Sequence, residues 1–393
     1  MSGAPRVALF ADSLLEVNGV ALTCRKLEEH AQRKGLPLLT VHAGPETRSS
    51  EEDGRRRLSL KNSPLHSSLE NDLKFDWLFA RHAARVIEAL RAFQAELVHV
   101  TGPNHTGMLG SIAAWRLKLP LVMSWHTNVH EYAACRLPGA APAWLRRSAL
   151  RASWAGLALY YRQARVILAP NPELAGALER GTGRPVRLMP RGVDCEFFHP
   201  RKRRRADGTF LAGYVGRLSP EKSVRRLAEV AQALKQAGVA DFRIEIIGGG
   251  SEQEWLREHV ANVRLPGVLR GEALAEAYAN FDVFVFPSET DTYGNAVQEA
   301  MASGVPCVVM SRGGPASIVT DSVTGRVCRT TEEMAAAVAE LAQRPEIRRR
   351  LGEAARRAAE KRTWETVGEI VWSAYGEALA QRAAVRAEAR CVA

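Results

Sequence analysis

The chain has 393 residues, enough for two domains of ordinary size, and is 46% hydrophobic and 25% charged, the balance of a soluble globular protein. Lys and Arg outnumber Asp and Glu by 54 to 43, a formal net charge of +11, which favours anionic partners: phosphorylated small molecules, nucleic acid or an acidic lipid surface. No apolar run reaches the 18 or so residues of a membrane span, the opening "MSGAPRVALFADS" lacks the apolar core of a signal peptide, and the six cysteines form no CxxC pair, so reduced thiols in a cytosolic protein are expected.

In chain order, short buried-strand runs alternate with helical patterns. "RVALFAD" (Arg6 to Asp12) reads as a buried strand, and "NGVALTCRKLEEHAQRKG" places Gly19 at a turn before a helix that ends near Gly35. "LPLLTVHAG" is a second strand, and Phe75 to Ala95 has helical spacing. "LVHVTG" and "LPLVMSWHT" are strands separated by a helix from about His105 to Leu117. "ARVILAPN" and "VRLMPRGVD" continue the alternation, which implies a parallel sheet covered on both faces.

A break follows at "FFHPRKRRRADG", and the alternation restarts with "FLAGYVGRL", "DFRIEIIGGG", "VRLPGVLR", "DVFVFPS" and "GVPCVVMSRGG", with helices from Thr331 onward. The expected architecture is α/β: two doubly wound Rossmann-like domains facing a central cleft. Residues 1–198 form the first domain, 199–208 a basic linker, 209–368 the second domain, and 369–393 a C-terminal helix packing back on the first. Ligands of such folds bind outside the carboxyl ends of the strands. The run "RKRRR" (Arg201 to Arg205) is either a nucleic-acid patch or a solvated linker; no recognition motif accompanies it, and the linker reading is preferred.

Two constellations fall at strand ends. In "SETDTYGNAVQEAMASGVP", Asp291 and Glu299 are separated by seven residues, with Gly294 and Asn295 opening a helix between them. The N–H groups of a helix start form an anion site, so a carboxylate, a set of amide donors and a second carboxylate converge if residues 294 to 303 are helical. A capping Asp and a solvated Glu would give the same spacing. In "GYVGRLSPEK", Arg217 and Lys222 offer a planar fork and a compact charge for phosphate oxygens; a surface salt bridge is the alternative use.

Together, "GRLSPEK", "SETDTYGNAVQEAMASGVP" and "SRGGPASIV", with "NGVALTCRKLEEHAQRKG", "MSWHTNVHEY" and "MPRGVDCEFFHP" in the first half, resemble the family-4 retaining glycosyltransferases of the GT-B fold. The motifs stand in the family's order over residues 6 to 375, and "TDTYGN" is similar to the sulfoquinovosyl-diacylglycerol synthase and lipid mannosyltransferase subtype. The resemblance implies that Arg217 and Lys222 bind the donor diphosphate and that Glu299 holds the nucleotide ribose. Asp291 would contact the transferred sugar, one methylene shorter than the Glu of many members. The backbone at Tyr293, Gly294 and Asn295 would meet phosphate or sugar hydroxyls, Val268 would pack the base, and Gly19 would let the backbone approach the donor phosphate. His126, which as a lone histidine would read as a satisfied core residue, matches the histidine that points at the sugar.

No zinc site is read around His126 and His130. The nearest approach to an Asp-x-Asp metal clamp, Glu289-x-Asp291, reads as a polar loop. No cofactor and no metal are expected to be required, with Arg217, Lys222 and the helix start supplying positive charge. The expected function is a retaining hexosyltransferase that moves a hexose from GDP-mannose or a UDP-sugar to a hydroxyl of a lipid-linked or glycan acceptor. The alternatives are transfer to a soluble acceptor, or a non-catalytic nucleotide-sugar-binding protein. "APAWLRRSALRASWAGLALYYRQA" (Ala141 to Ala164) combines Trp144 and Trp154 with Arg146, Arg147 and Arg151, which points to docking on an anionic membrane surface or to an ordinary domain helix. The expected location is cytoplasmic, peripheral on the inner face of the plasma membrane, with no nucleic-acid partner.

Overall fold

The structure is a computed structural model and describes residues 4–11, 14–16, 19–70, 73–126 and 142–391. It divides into two units: residues up to Met189 together with those from Glu365 on, and Pro190–Trp364.

Among the described residues the first unit has ten strands: β1 (Val7–Ala11), β2 (Leu38–Gly44), β3 (Arg48–Glu52), β4 (Arg55–Lys61), β5 (His66–Glu70), β6 (Leu73–Asp76), β7 (Leu97–Val100), β8 (Leu121–Ser124), β9 (Val166–Ala169) and β10 (Val186–Leu188). Eight of them form one sheet in the order β10-β9-β8-β7-β1-β2-β4-β3, parallel except for β3. Every residue of β1, β7, β8 and β9 is buried. Apolar runs of this kind, broken only by His99 in β7 and Ser124 in β8, are what a parallel strand needs when helices cover both faces, and each fully buried Val, Leu or Phe is worth about 1.5–3 kcal/mol.

Two parts of this unit differ from the sequence expectation. Between "LPLLTVHAG" and the next helix, β3 and β4 form a hairpin closed by Asp53 (φ 50°) and Gly54 (φ 73°), the left-handed pair of a two-residue turn. The span from Phe75 to Ala95 is not one helix: β6 runs to Asp76, a 3-10 turn covers Phe79–His82, and the helix is Ala83–Phe93. The Asp76 carboxylate explains the break. It accepts from the Ser63 and Leu78 amides, each at 2.9 Å, from Arg81 Nη1 at 2.8 Å and from the Ser63 hydroxyl, holding the chain in a turn where a helix would otherwise begin. Desolvation opposes its charge, but these donors prevail and bring its carboxyl down to about 2.

The second unit has six parallel strands, β11 (Phe210–Val215), β12 (Phe242–Ile247), β13 (Val263–Gly267), β14 (Val283–Phe286), β15 (Cys307–Met310) and β16 (Gly325–Cys328), in the order β13-β12-β11-β14-β15-β16. It has its own hydrophobic core, separate from that of the first unit.

The basic run is solvated in part: Arg201, Arg203 and Arg204 are exposed, whereas Lys202 and Arg205 are half-buried. It lies inside the second unit, where Arg203 and Arg205 both pair with the buried carboxylate of Asp282, at 2.9 and 2.8 Å, and Lys202 pairs with Glu272 at 2.8 Å. A buried carboxylate demands such partners. The last helix, Trp364–Cys391, belongs to the first unit from Glu365 onward. There Glu365 pairs with Lys34 at 2.7 Å and Arg33 at 3.0 Å, and Glu377 with Arg187 at 2.8 Å.

Candidate functional site

In the second unit, β11 and β14 are hydrogen-bonded neighbours, so the loops at their carboxyl ends lie side by side. After β11 the chain passes Arg217 and enters a 3-10 turn, Pro220–Lys222, that ends with Ser223 at φ 53°. After β14 it runs through Ser288–Tyr293 into the helix Asn295–Ala302. Four hydrogen bonds join the two segments. Lys222 Nζ donates to Asp291 Oδ1 at 2.6 Å, Thr290 Oγ1 donates to the Glu221 carbonyl at 3.1 Å, and Arg226 donates to Glu289 at 2.8 Å and to the Pro287 carbonyl at 3.2 Å.

Lys222 and Asp291 are only 15% and 19% exposed. An ion pair held that far from water is far stronger than a surface pair. Asp291 Oδ2, buried, makes no hydrogen bond among the described residues, which leaves a carboxylate oxygen with unused acceptor capacity. Arg217 is the more exposed cation, with its guanidinium 4.0 Å from the Glu221 carboxylate.

The helix start is shaped by its neighbours. Gly294 has φ 100°, and a Cβ there would stand 2.9 Å from Pro315 Cγ. No side chain caps the helix, so its first amides are not claimed by a cap. Tyr293 is buried, with its hydroxyl 2.5 Å from Gln298 Oε1 and 3.2 Å from the Arg191 carbonyl, to which Gln298 Nε2 also donates at 2.8 Å. The loop is backed by Gly314, whose amide donates to the Asp291 carbonyl at 2.7 Å; a Cβ on it would come within 2.3 Å of Thr292. A glycine is required there by close approach alone.

Glu299 sits one turn into that helix. Burial pushes its carboxyl up to about 7, and the neighbouring Tyr278 hydroxyl acts in the opposite direction by favouring the charged form. That hydroxyl is itself buried and makes no hydrogen bond of ordinary geometry among the described residues. Val268, just past β13, is 63% exposed. The loops after β11, β12 and β13 are laced together there, the Leu218 amide donating to the Gly249 carbonyl at 3.0 Å and the Gly248 amide to the Gly267 carbonyl at 2.9 Å. Val268 is thus an apolar side chain left open beside a rigid backbone shelf.

The structure therefore brings Arg217, Lys222, Asp291, Tyr293, Gly294, Asn295 and Glu299 to the carboxyl-end loops of β11 and β14. Reading Lys222 and Asp291 separately, as a phosphate ligand and a sugar ligand, misses that they pair with each other. It also misses the Arg226–Glu289 pair and the Tyr293–Gln298–Arg191 brace. No sequence spacing announces these, since Glu289 lies 63 residues from Arg226, and Tyr293 and Gln298 lie 102 and 107 residues from Arg191.

In the first unit, Gly19 opens the helix Gly19–Lys34 and its carbonyl accepts from Thr23 Oγ1 at 2.8 Å. Val17 and Asn18 before it, and His130, lie outside the described residues. His126 stands two residues beyond β8, buried, with Nε2 2.7 Å from Ser124 Oγ. Among the described residues no cluster of three or more His, Cys, Asp or Glu side chains is placed to hold a metal ion.

The comparisons with known proteins agree across both halves. A Glycosyltransferase Family 4 model matches residues 17–197 and a Glycosyl transferases group 1 model matches residues 196–358. A GDP-mannose-dependent alpha-mannosyltransferase of Mycolicibacterium smegmatis is 34% identical over 96% of this chain and 98% of its own length. A sulfoquinovosyl transferase of Arabidopsis thaliana is 31% identical over 71% of this chain and 56% of its own. Among solved structures, the sucrose-phosphate synthase of Thermosynechococcus elongatus superposes with a TM-score of 0.72 at 19% identity, covering 96% of this chain and all of that one. This chain belongs to the family-4 glycosyltransferases of the GT-B fold, enzymes that transfer a sugar from a nucleotide sugar.

Proposed function

We propose that the chain is a retaining mannosyltransferase that moves mannose from GDP-mannose to a hydroxyl of a lipid-linked or glycan acceptor. The observation that carries the donor assignment is the Lys222–Asp291 pair at the end of β11 and β14, set beside a helix start that no side chain caps. Mannose and guanosine rest on the GDP-mannose-dependent relative, which this chain matches along almost its whole length. A UDP-sugar is the rival donor.

In this reading Arg217 and Lys222 bind the diphosphate, Glu299 accepts hydrogen bonds from the ribose hydroxyls, and Val268 packs the base. The open Oδ2 of Asp291 accepts from a sugar hydroxyl. Amides of Tyr293, Gly294 and Asn295 donate to phosphate or sugar oxygens, and Gly19 permits close backbone approach to the phosphate. His126 acts on the transferred sugar. As the bond between the anomeric carbon and the phosphate oxygen breaks, Lys222 and Arg217 take up the charge on the leaving diphosphate. The acceptor oxygen bonds to the same face of the anomeric carbon, and its proton passes to the departing phosphate oxygen. The same cations do the work a divalent ion does elsewhere, so transfer is proposed to need no metal.

The acceptor side points to lipid. The helix Ala143–Tyr161 exposes Trp144 (68%), Arg147, Arg151 and Leu159, apolar and basic side chains that suit an anionic bilayer surface. Trp154 does not belong to that set, because it packs on Trp125 with ring centroids 5.8 Å apart. No helix among the described residues is long and apolar enough to cross a membrane, so attachment would be peripheral.

Calorimetry with GDP and UDP, each with magnesium and with EDTA, followed by transfer from GDP-mannose, tests the reading. Tight GDP binding that survives EDTA, with an α-mannosyl product by its anomeric carbon–proton coupling, supports it. Preference for UDP overturns the donor, and a metal requirement overturns the electrostatic scheme.

A further inference from the structure

The first unit contains a line of four hydrogen-bonded side chains of which the functional reading uses only the last. Tyr375 Oη, on the C-terminal helix, lies 2.8 Å from His99 Nδ1; His99 Nε2 lies 2.8 Å from Ser124 Oγ; and Ser124 Oγ lies 2.7 Å from His126 Nε2. All four side chains are buried, and His99, Ser124 and Tyr375 are completely so. We propose that Tyr375 is a positioning residue that acts through His99 and Ser124 to fix His126 as the neutral tautomer with its proton on Nδ1.

The argument is a count of protons. Ser124 offers one hydroxyl proton to two imidazole nitrogens, so one ring must accept from Ser124 and the other must donate to it. The Nε2 atoms of His99 and His126 therefore carry opposite protonation. His99 is neutral, because complete burial without an anionic partner lowers its pKa to about 3; it holds one proton, on Nε2 or on Nδ1. Tyr375 decides which. Its hydroxyl stays protonated, since burial raises its pKa well above the ordinary value, and among the described residues it has no hydrogen-bond partner but His99. If it donates to His99 Nδ1, every proton in the line has an acceptor: His99 Nε2–H donates to Ser124, Ser124 donates to His126 Nε2, and His126 keeps its proton on Nδ1. With the line reversed, the Tyr375 proton is buried without an acceptor, which is the costly arrangement.

Charging His126 would force the same reversal, because a protonated Nε2 must donate to Ser124. The line therefore also holds His126 neutral. On the reading that His126 meets the transferred sugar, it does so as an uncharged N–H donor rather than as an acid. The charge in this reaction is then handled by the second unit.

The test is a two-bond proton–nitrogen correlation spectrum of the full-length protein labelled with 15N-histidine, with His126 assigned by its absence in His126→Gln. The expected pattern is His126 protonated on Nδ1 and bare on Nε2, and His99 the opposite. Tyr375→Phe keeps the ring that packs on His99 and Trp372 but removes the donor, so both histidines should become mixtures of tautomers. Turnover should fall about tenfold with donor KM changed less than about twofold, as when a catalytic histidine loses its orienting partner but not its place. A wild-type His126 protonated on Nε2 overturns the inference, and so does a Tyr375→Phe spectrum identical to wild type. Mannose transfer with the wrong tautomer removes the inference and leaves the function; the expected tautomer in a protein that transfers no sugar from any nucleotide does the reverse.

Discussion

The two units solve their problems with opposite chemistry. In the second, ions are concentrated at the ends of β11 and β14, where Lys222–Asp291 and Arg226–Glu289 join adjacent loops and Glu299 is held near its neutral form by burial. In the first, at the end of β8, the Tyr375–His99–Ser124–His126 line joins side chains with no carboxylate among them, and burial keeps His99 neutral. A diphosphate has to be met by positive charge, whereas a sugar hydroxyl needs only an oriented donor. The difference predicts that damage to the second unit appears in donor binding, and damage to the first in turnover.

The largest effect is expected at Lys222. Replacing it with Ala removes the cation and leaves Asp291, 19% exposed, as an unpaired carboxylate beside the proposed phosphate position. The loss of attraction and the new repulsion both oppose the donor. We expect kcat/KM for GDP-mannose to fall on the order of a thousandfold, about 4 kcal/mol, and GDP binding to be lost by calorimetry. Wild-type GDP affinity in the variant would remove Lys222 from the donor site.

Glu299→Gln comes next and is read against pH. Burial raises the Glu299 carboxyl from 4.5 to about 7. A raised acid contributes its stability fully below the unfolded value and loses it as pH rises through the folded one. Between about pH 4.5 and 7 the wild type should therefore lose stability that the variant keeps, up to about 3 kcal/mol. If Glu299 binds the ribose as proposed, donor binding runs the other way, because the ionised carboxylate is the better acceptor for two hydroxyls. GDP affinity should rise in the wild type from pH 6 to 8 and stay flat, and lower, in the variant. Chemical denaturation and calorimetry at each pH separate the two.

Legibility followed the range of the interaction. The parallel sheets could be read because buried strands such as "VALFA" and "VFVF" are continuous apolar runs, a signal local to each strand. The placement of Asp291, Gly294 and Glu299 after a strand and at a helix start could be read because they share one short stretch. The Phe75–Ala95 span misled because helical spacing is silent about Asp76, whose partner Ser63 lies 13 residues back. The "RKRRR" run misled because its partner Asp282 is nearly 80 residues away. The Asp53–Gly54 turn was visible as a dipeptide, but only the β4 side carries apolar alternation, at Leu58 and Leu60, while β3 is polar throughout. His126 could be placed at a strand end, but nothing in "SWHTN" reveals His99, still less Tyr375, 276 residues further on than His99.

In the first unit, His126→Ala should cost turnover about tenfold to a hundredfold, the loss of one oriented group, with GDP affinity unchanged. Ser124→Ala, which cuts the line but keeps the imidazole, should lose less than His126→Ala. Steady-state kinetics with GDP-mannose and calorimetry with GDP check both. Weakened GDP binding in either variant would contradict a role for His126 confined to the transferred sugar.

The smallest effect is expected at Arg226. Its guanidinium and the Glu289 carboxylate are 27% and 28% exposed, so water screens the pair, and exposed pairs are worth about 0–1 kcal/mol. Arg226 also donates to the Pro287 carbonyl, which ties down the segment leading to Asp291. Arg226→Ala should therefore lower stability by about 1 kcal/mol and raise donor KM severalfold, while Glu289→Gln, which leaves the Pro287 bond in place, should do less than half of that. The ordering of the two variants matters more than either size. If Glu289→Gln equals or exceeds Arg226→Ala in donor KM, Glu289 is meeting the donor itself, and the acidic side of the loop extends one residue pair further than Asp291.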